Sequence, residues 1–299
     1  MPALFEGFRD VHIPAGEAEV AAWVGGSGPP LLLLHGYPQT RALWHKVAAR
    51  LARRFTVVAA DLRGYGDSGK PASTPDHAPY SKRAMARDPI ALMRALGHER
   101  FFLAGHDRGG RVAHRLAMDH PQSVARLAVL DIAPTLAMYE QTTEAYARAY
   151  WHWFFLILPE PIPERMIGAD RAAFLRFKIG QGRAGLQPFA PEALAEYQRC
   201  FTEESVHAMC EDYRAAAGID LEHDRADRDA GRKLAMPLLA LWGAHGVVEK
   251  CFRPIDEWRR VAEDVRGTAL PAGHYLPEEV PEQVADEFEK FFTSGGGGV

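Results

Sequence analysis

The stretch Gly105-His106-Asp107-Arg108-Gly109 sets an aspartate midway between two glycines, directly after the apolar residues Phe101-Phe102-Leu103-Ala104. Glycines two before and two after a central residue permit a sharp strand-to-helix turn that lifts its side chain into a cleft. A loop aspartate capping the next helix is the plainer reading, because Asp is a good N-cap. That reading leaves both glycines unexplained. A carboxylate in this place also selects the chemistry. Attack on an acyl carbon would give a labile anhydride with little gain, whereas attack on a saturated carbon expels a leaving group and leaves an ester that water can hydrolyse.

The second step needs a base and a place for an oxyanion. His274, in Pro271-Ala272-Gly273-His274-Tyr275, follows the last expected strand and is the candidate base. Most of the 13 histidines, His12, His45, His98 and His120 among them, read as ordinary satisfied side chains. Nucleophile, acid, histidine is the chain order that accompanies this turn, and it singles out His274. The acid is Asp131, at the end of the strand that follows the nucleophile helix. No aspartate stands in Gly243-Ala244-His245-Gly246-Val247-Val248-Glu249, where Glu249 is the weaker alternative. Asp131 would orient His274 and stabilise its protonated form. Backbone N–H groups of Tyr37 and Arg108 stand where an oxyanion site is expected. Glu222-His223-Asp224 is not read as a metal site, because three adjacent residues cannot all face one ion on regular structure.

The elements that must position these groups follow from short apolar runs. Residues 8–13 and 19–24 read as two antiparallel strands joined through Pro14-Ala15-Gly16. Residues 30–34, 55–60, 101–105, 127–131 and 238–242 are continuous apolar runs that suit strands buried on both faces. Helical stretches such as 41–51 and 81–96 lie between them. This alternation implies an α/β fold with a mostly parallel sheet and helices on both faces. From about Leu136 to Ala226 the alternation stops. That region holds Tyr146, Tyr150, Trp151, Trp153, Phe154 and Phe155 and no clear strand, and reads as an all-helical cap inserted into the core. The expected organisation is a core over 1–135, a cap over 136–226 and the rest of the core over 227–299, with a flexible Gly-rich tail.

Several motifs together resemble the fluoroacetate dehalogenases, a branch of the α/β-hydrolase fold. They are His35-Gly36-Tyr37-Pro38-Gln39-Thr40, Asp61-Leu62-Arg63-Gly64-Tyr65-Gly66, Gly105-His106-Asp107-Arg108-Gly109, Leu130-Asp131-Ile132 and Gly273-His274. The first two are shared with epoxide hydrolases and haloalkane dehalogenases. The cap segments Tyr150-Trp151-His152-Trp153 and Cys210-Glu211-Asp212-Tyr213-Arg214 discriminate better. The resemblance implies an eight-stranded sheet, a homodimer, and hydrolysis of fluoroacetate and other haloacetates to glycolate without cofactor or metal. It implies that Arg108 and Arg111 bind the substrate carboxylate, a task suited to guanidinium geometry. It implies that His152, Trp153 and Tyr213 donate hydrogen bonds to the departing halide. For Trp153 alone, packing in the cap is a serious rival. One departure stands out. Family members carry a tryptophan in the region of residues 178–185, where this chain has Gly180-Gln181-Gly182-Arg183. An epoxide hydrolase using the same aspartate and histidine is the nearest rival, but it has no use for an arginine pair. A non-catalytic binding protein on the same fold leaves the complete triad unexplained.

Bulk properties agree with a small-molecule enzyme. With 299 residues, 47% of them hydrophobic, the chain can bury a large core without staples. A net charge of −4 carries no footprint for nucleic acid. Three irregularly spaced cysteines are poor material for disulfides. No signal-peptide pattern or membrane-length apolar run is visible, and a cytoplasmic protein is expected.

Overall fold

Apolar runs of five to seven residues are too short for stable helices but long enough for strands buried in a sheet. In the computed structural model, which describes residues 4–294, they pair into one eight-stranded sheet. The strands are β1 (Arg9–Pro14), β2 (Glu19–Gly25), β3 (Pro30–Leu34), β4 (Thr56–Ala60), β5 (Phe101–His106), β6 (Val124–Leu130), β7 (Leu238–Gly243) and β8 (Val265–Leu270). Their order is β1-β2-β4-β3-β5-β6-β7-β8. β1 and β2 pair antiparallel, as do β2 and β4, and all later pairs are parallel. Every residue of β3, β5 and β7 is buried, as strands covered on both faces require. The edges differ: β1 and β8 are largely exposed.

The order of the strands decides where a site can form. From β3 the chain steps outward to β4, then returns to place β5 on the other side of β3. A crevice opens at such a reversal, at the carboxyl ends of the strands. Tyr37 follows β3 there and Asp107 follows β5. Between β6 and β7 the described residues form eight helices, from Thr135–Glu140 to Ile219–Asp229, and no strand. Their aromatic side chains reach the crevice, where Tyr213 and His152 pack on Tyr37. No helix of the described residues is long and apolar enough to cross a membrane. The glycine tail beyond Ser294 lies outside the described residues.

The turn after β5 depends on its glycines. Asp107 has φ 48° and ψ −115°, a conformation that L-residues rarely adopt. A Cβ on Gly105 would sit 2.4 Å from the Gly109 carbonyl oxygen, and one on Gly109 would sit 2.3 Å from that of His35. The obstructing atoms are backbone, so neither clash can be relieved by a side-chain rotation. Gly105→Ala is therefore expected to cost about 1–3 kcal/mol, read as a lowered midpoint in urea unfolding.

Candidate active site

Asp107 heads the helix Arg108–Asp119, yet its side chain makes no capping hydrogen bond. The carboxylate is turned toward the crevice instead. Its Oδ1 accepts from the Tyr37 N–H at 3.0 Å, and its Oδ2 lies 3.9 Å from His274 Nε2. The loop carrying Tyr37 is fixed by His35, whose Nδ1 donates to the Gly36 carbonyl at 3.0 Å while Nε2 accepts from the Leu62 N–H at 3.1 Å. Burial pushes His35 down to about 4, which keeps it neutral and able to fill both roles. Burial raises the Asp107 carboxyl, but the neighbouring His274 and the guanidinium groups of Arg111 and Arg108 outweigh it and hold the group below its ordinary value. The Asp107 carboxylate is thus anionic although it is buried.

Asp131 rather than Glu249 reaches the histidine. His274 Nδ1 lies 2.6 Å from Asp131 Oδ2, and Asp131 Oδ1 accepts from the Gly243 N–H at 2.9 Å. Glu249 accepts instead from the Trp242 indole. Two residues not anticipated from sequence hold the histidine loop. Glu279 accepts from the N–H groups of Gly273 at 2.7 Å and Tyr275 at 2.9 Å. His106 Nε2 donates to the His274 carbonyl at 2.8 Å, and burial and the nearby His274 push His106 down to about 3. Tyr150 Oη stands 3.4 Å from His274 Nδ1.

The two arginines are not equivalent. Arg108 is bound by Asp212, Nε to Oδ2 at 2.8 Å and Nη2 to Oδ1 at 2.6 Å, with a further bond from Nη2 to the Asp212 carbonyl at 2.8 Å. Among the described residues, only its Nη1 finds no partner. Asp212 also accepts from Lys82 and, at 2.7 Å, from Tyr65 Oη. Burial opposes its ionisation, but Arg108 and Lys82 hold its carboxyl well below the ordinary range. Arg111 has no carboxylate partner among the described residues. Its Nη1 donates to the Ala133 carbonyl at 3.2 Å and to Thr135 Oγ1 at 2.9 Å, and its Nε is unpartnered. A substrate anion would therefore meet the net charge of Arg111 and one directed N–H from each arginine.

His152, Trp153 and Tyr213 are buried and share one aromatic cluster. The centroids of His152 and Tyr213 lie 5.9 Å apart, and those of Trp153 and Tyr213 lie 6.3 Å apart. Each arginine covers one of these rings, Arg108 at 4.1 Å from the centre of Tyr213 and Arg111 at 4.5 Å from that of Trp153. A cation on a ring face pulls electron density inward and makes the polar edge a better donor. Tyr213 Oη and His152 Nδ1 are buried without a hydrogen-bond partner. Burial, then the charge of Lys178, pushes His152 well below its usual value, so the ring is neutral. Lys178 is a further residue the sequence reading missed. It is buried on the helix Arg171–Gly180 alongside Leu175 and Ile179. Its position on that apolar stripe was the available signal. The acidic run near position 223 goes elsewhere, with Asp224 accepting from Arg115 at 2.7 Å.

Removing the Asp212 charge strands two buried cations. Asp212→Asn is expected to lower stability by about 3 kcal/mol, measured by denaturant unfolding, while Glu222→Gln on the exposed surface stays within about 0.5 kcal/mol.

Residues 29–279 match the family model described as the alpha/beta hydrolase fold. The chain is 46% identical to a fluoroacetate dehalogenase from Burkholderia sp, over 99% of this chain and 97% of that one. It is 35% identical to a soluble epoxide hydrolase from Corynebacterium sp. (strain C12), over 97% and 96% of the two chains. A solved structure from Nostoc sp PCC 7120, ascribed to the alpha/beta hydrolases, superposes with a TM-score of 0.95 at 51% identity, covering 97% of this chain and 100% of that one. With an anionic aspartate at the turn after β5 and an Asp131–His274 pair facing it, the chain belongs to the α/β-hydrolase fold family, as a hydrolase related to the fluoroacetate dehalogenases.

Proposed function

We propose that this enzyme hydrolyses fluoroacetate and other haloacetates to glycolate through an ester on Asp107. The observation that carries the reading is the pairing of a nucleophilic carboxylate with Arg111, a buried cation that no carboxylate of the described residues pairs with. The substrate carboxylate takes the free N–H groups of Arg108 and Arg111, which aligns the α-carbon with Asp107 Oδ2. Oδ2 forms a bond to that carbon as the carbon–halogen bond breaks, and the electron pair leaves with the halide. His152, Trp153 and Tyr213 receive the halide. Several donors in a dry pocket suit fluoride, which holds its charge tightly and leaves carbon reluctantly.

In the second step His274 takes a proton from water, which attacks Cγ of the ester. The Tyr37 and Arg108 N–H groups hold the oxyanion that develops on Oδ1, and Asp131 stabilises the protonated imidazole. Glycolate leaves and the Asp107 carboxylate is restored. The Burkholderia relative at 46% identity supports this reading. A homodimeric, cytoplasmic enzyme is part of it. Epoxide opening is the second reading, favoured by the unpartnered Tyr213 hydroxyl and the Corynebacterium relative. It leaves Arg111 with nothing to bind.

Free fluoride followed with an ion-selective electrode is expected to appear with the parent enzyme. In Asp107→Asn the rate should fall by at least roughly 10⁴-fold, and the absence of fluoride release by a folded parent would overturn the assignment. His274→Gln separates the steps. It should release fluoride once and retain a glycolyl group on the peptide bearing Asp107, detected by mass spectrometry, whereas an unmodified peptide after that release would exclude the ester.

A further inference from the structure

The Lys178 side chain is unaccounted for by the chemistry above. It is 7% exposed, and its ammonium makes no hydrogen bond or ion pair with any described residue. Nζ lies 5.8 Å from the centre of the Tyr37 ring, which stacks on His152 at 5.7 Å with an interplanar angle of 10°. Tyr37 in turn supplies the N–H that holds Asp107. An ordinary cap lysine extends along apolar surface to bring its charge into water. This one is buried toward the nucleophile, on the same helix face as Leu175 and Ile179. A buried cation without a partner is costly and is a feature of functional sites more than of packing.

Its place relative to the arginines gives it a task. Arg108 and Arg111 lie on the rings of Tyr213 and Trp153. Lys178 lies instead by Tyr37 and His152, and Asp107 is the charge that acts on it. The substrate carboxylate already has two guanidinium donors. The group that gains negative charge during displacement is the halide, and the ring nearest Lys178 on this side is flanked by the proposed halide donor His152. We propose that the Lys178 ammonium is a fourth donor to the departing halide and extends the enzyme's reach to the poorest leaving group, fluoride. This rests on the dehalogenase reading above.

The requirement for a charged ammonium makes the idea visible in pH. Burial pushes Lys178 down to about 8 against the pull of Asp107. The other groups around it are the Tyr37 hydroxyl, raised well above its usual value by burial, and the neutral His152, with His274, Arg108 and Arg111 beyond. The ammonium is charged below about 8 and loses its proton above it, so defluorination should decline as pH rises through that range. Arginine stays charged far above it.

Parent, Lys178→Met and Lys178→Arg are compared on fluoroacetate and bromoacetate, with kcat, KM and pH profiles. Lys178→Met is expected to lower kcat for fluoroacetate about 100-fold and for bromoacetate no more than about threefold, with KM little changed for both. Lys178→Arg should restore part of the fluoroacetate rate and carry its alkaline limb upward by more than about one pH unit. Equal losses on the two substrates, a rise in KM without loss of kcat, or an unmoved alkaline limb in Lys178→Arg overturns the role of Lys178 alone. A folded parent inactive on both haloacetates overturns the dehalogenase reading and this proposal with it.

Discussion

The buried pair between Arg108 and Asp212 ties the two halves of the site together. Arg108 directly follows Asp107 and opens the helix Arg108–Asp119, and Asp212 directly precedes Tyr213 on the helix Glu203–Ala217. Three hydrogen bonds between these neighbours set the distance from Asp107 to the Tyr213 hydroxyl. Two charges taken out of water each lose several kcal/mol of solvation, and their attraction recovers this only where the geometry is good. Bidentate contact, the Asp212 carbonyl, Lys82 and Tyr65 together provide that geometry. The pair is better understood as a register device than as a source of net stability. The Asp61-to-Gly66 motif has a role here too, because it delivers Tyr65 to Asp212.

With Arg108 committed in this way, the electrostatics of the crevice divide cleanly. Asp212 and Asp220 balance Arg108 and Lys82. Asp131 serves His274, and Asp107 is left facing Arg111 and Lys178. Burial keeps His35, His106 and His152 neutral, so each can present one donor and one acceptor without adding charge. The pocket can therefore admit an anion beside a carboxylate that must itself stay ionised. Neither arginine could do this if both were paired with acids.

Much of the fold was legible because buried parallel strands are continuous apolar runs. β3, β5 and β7 announce themselves in that way, and the strand-to-helix turn announces itself through Gly105 and Gly109. β8 was indistinct, since this edge strand exposes Arg266, Gly267 and Thr268 in succession and lacks an apolar run. That Asp131 and His274 meet beside Asp107 was expected from chain order. The roles of Asp212, His106, Glu279 and Lys178 did not, because each acts on a residue distant in sequence, and nothing in the local spacing of a single acid or lysine records its partner.

The sequence by itself determined which chemistry is available: a carboxylate where a hydroxyl would support acyl transfer, a histidine late in the chain, and an arginine-rich turn after Asp107. Those are properties of residue type and local backbone, which short-range sterics and hydrogen bonding dictate. Only the tertiary structure decided which arginine stands without a carboxylate partner among the described residues and which is paired to the helix Glu203–Ala217. The reason is physical. The effective charge of a buried group depends on what lies within a few ångströms of it, and the approach of the cap helix to the core sets those neighbours.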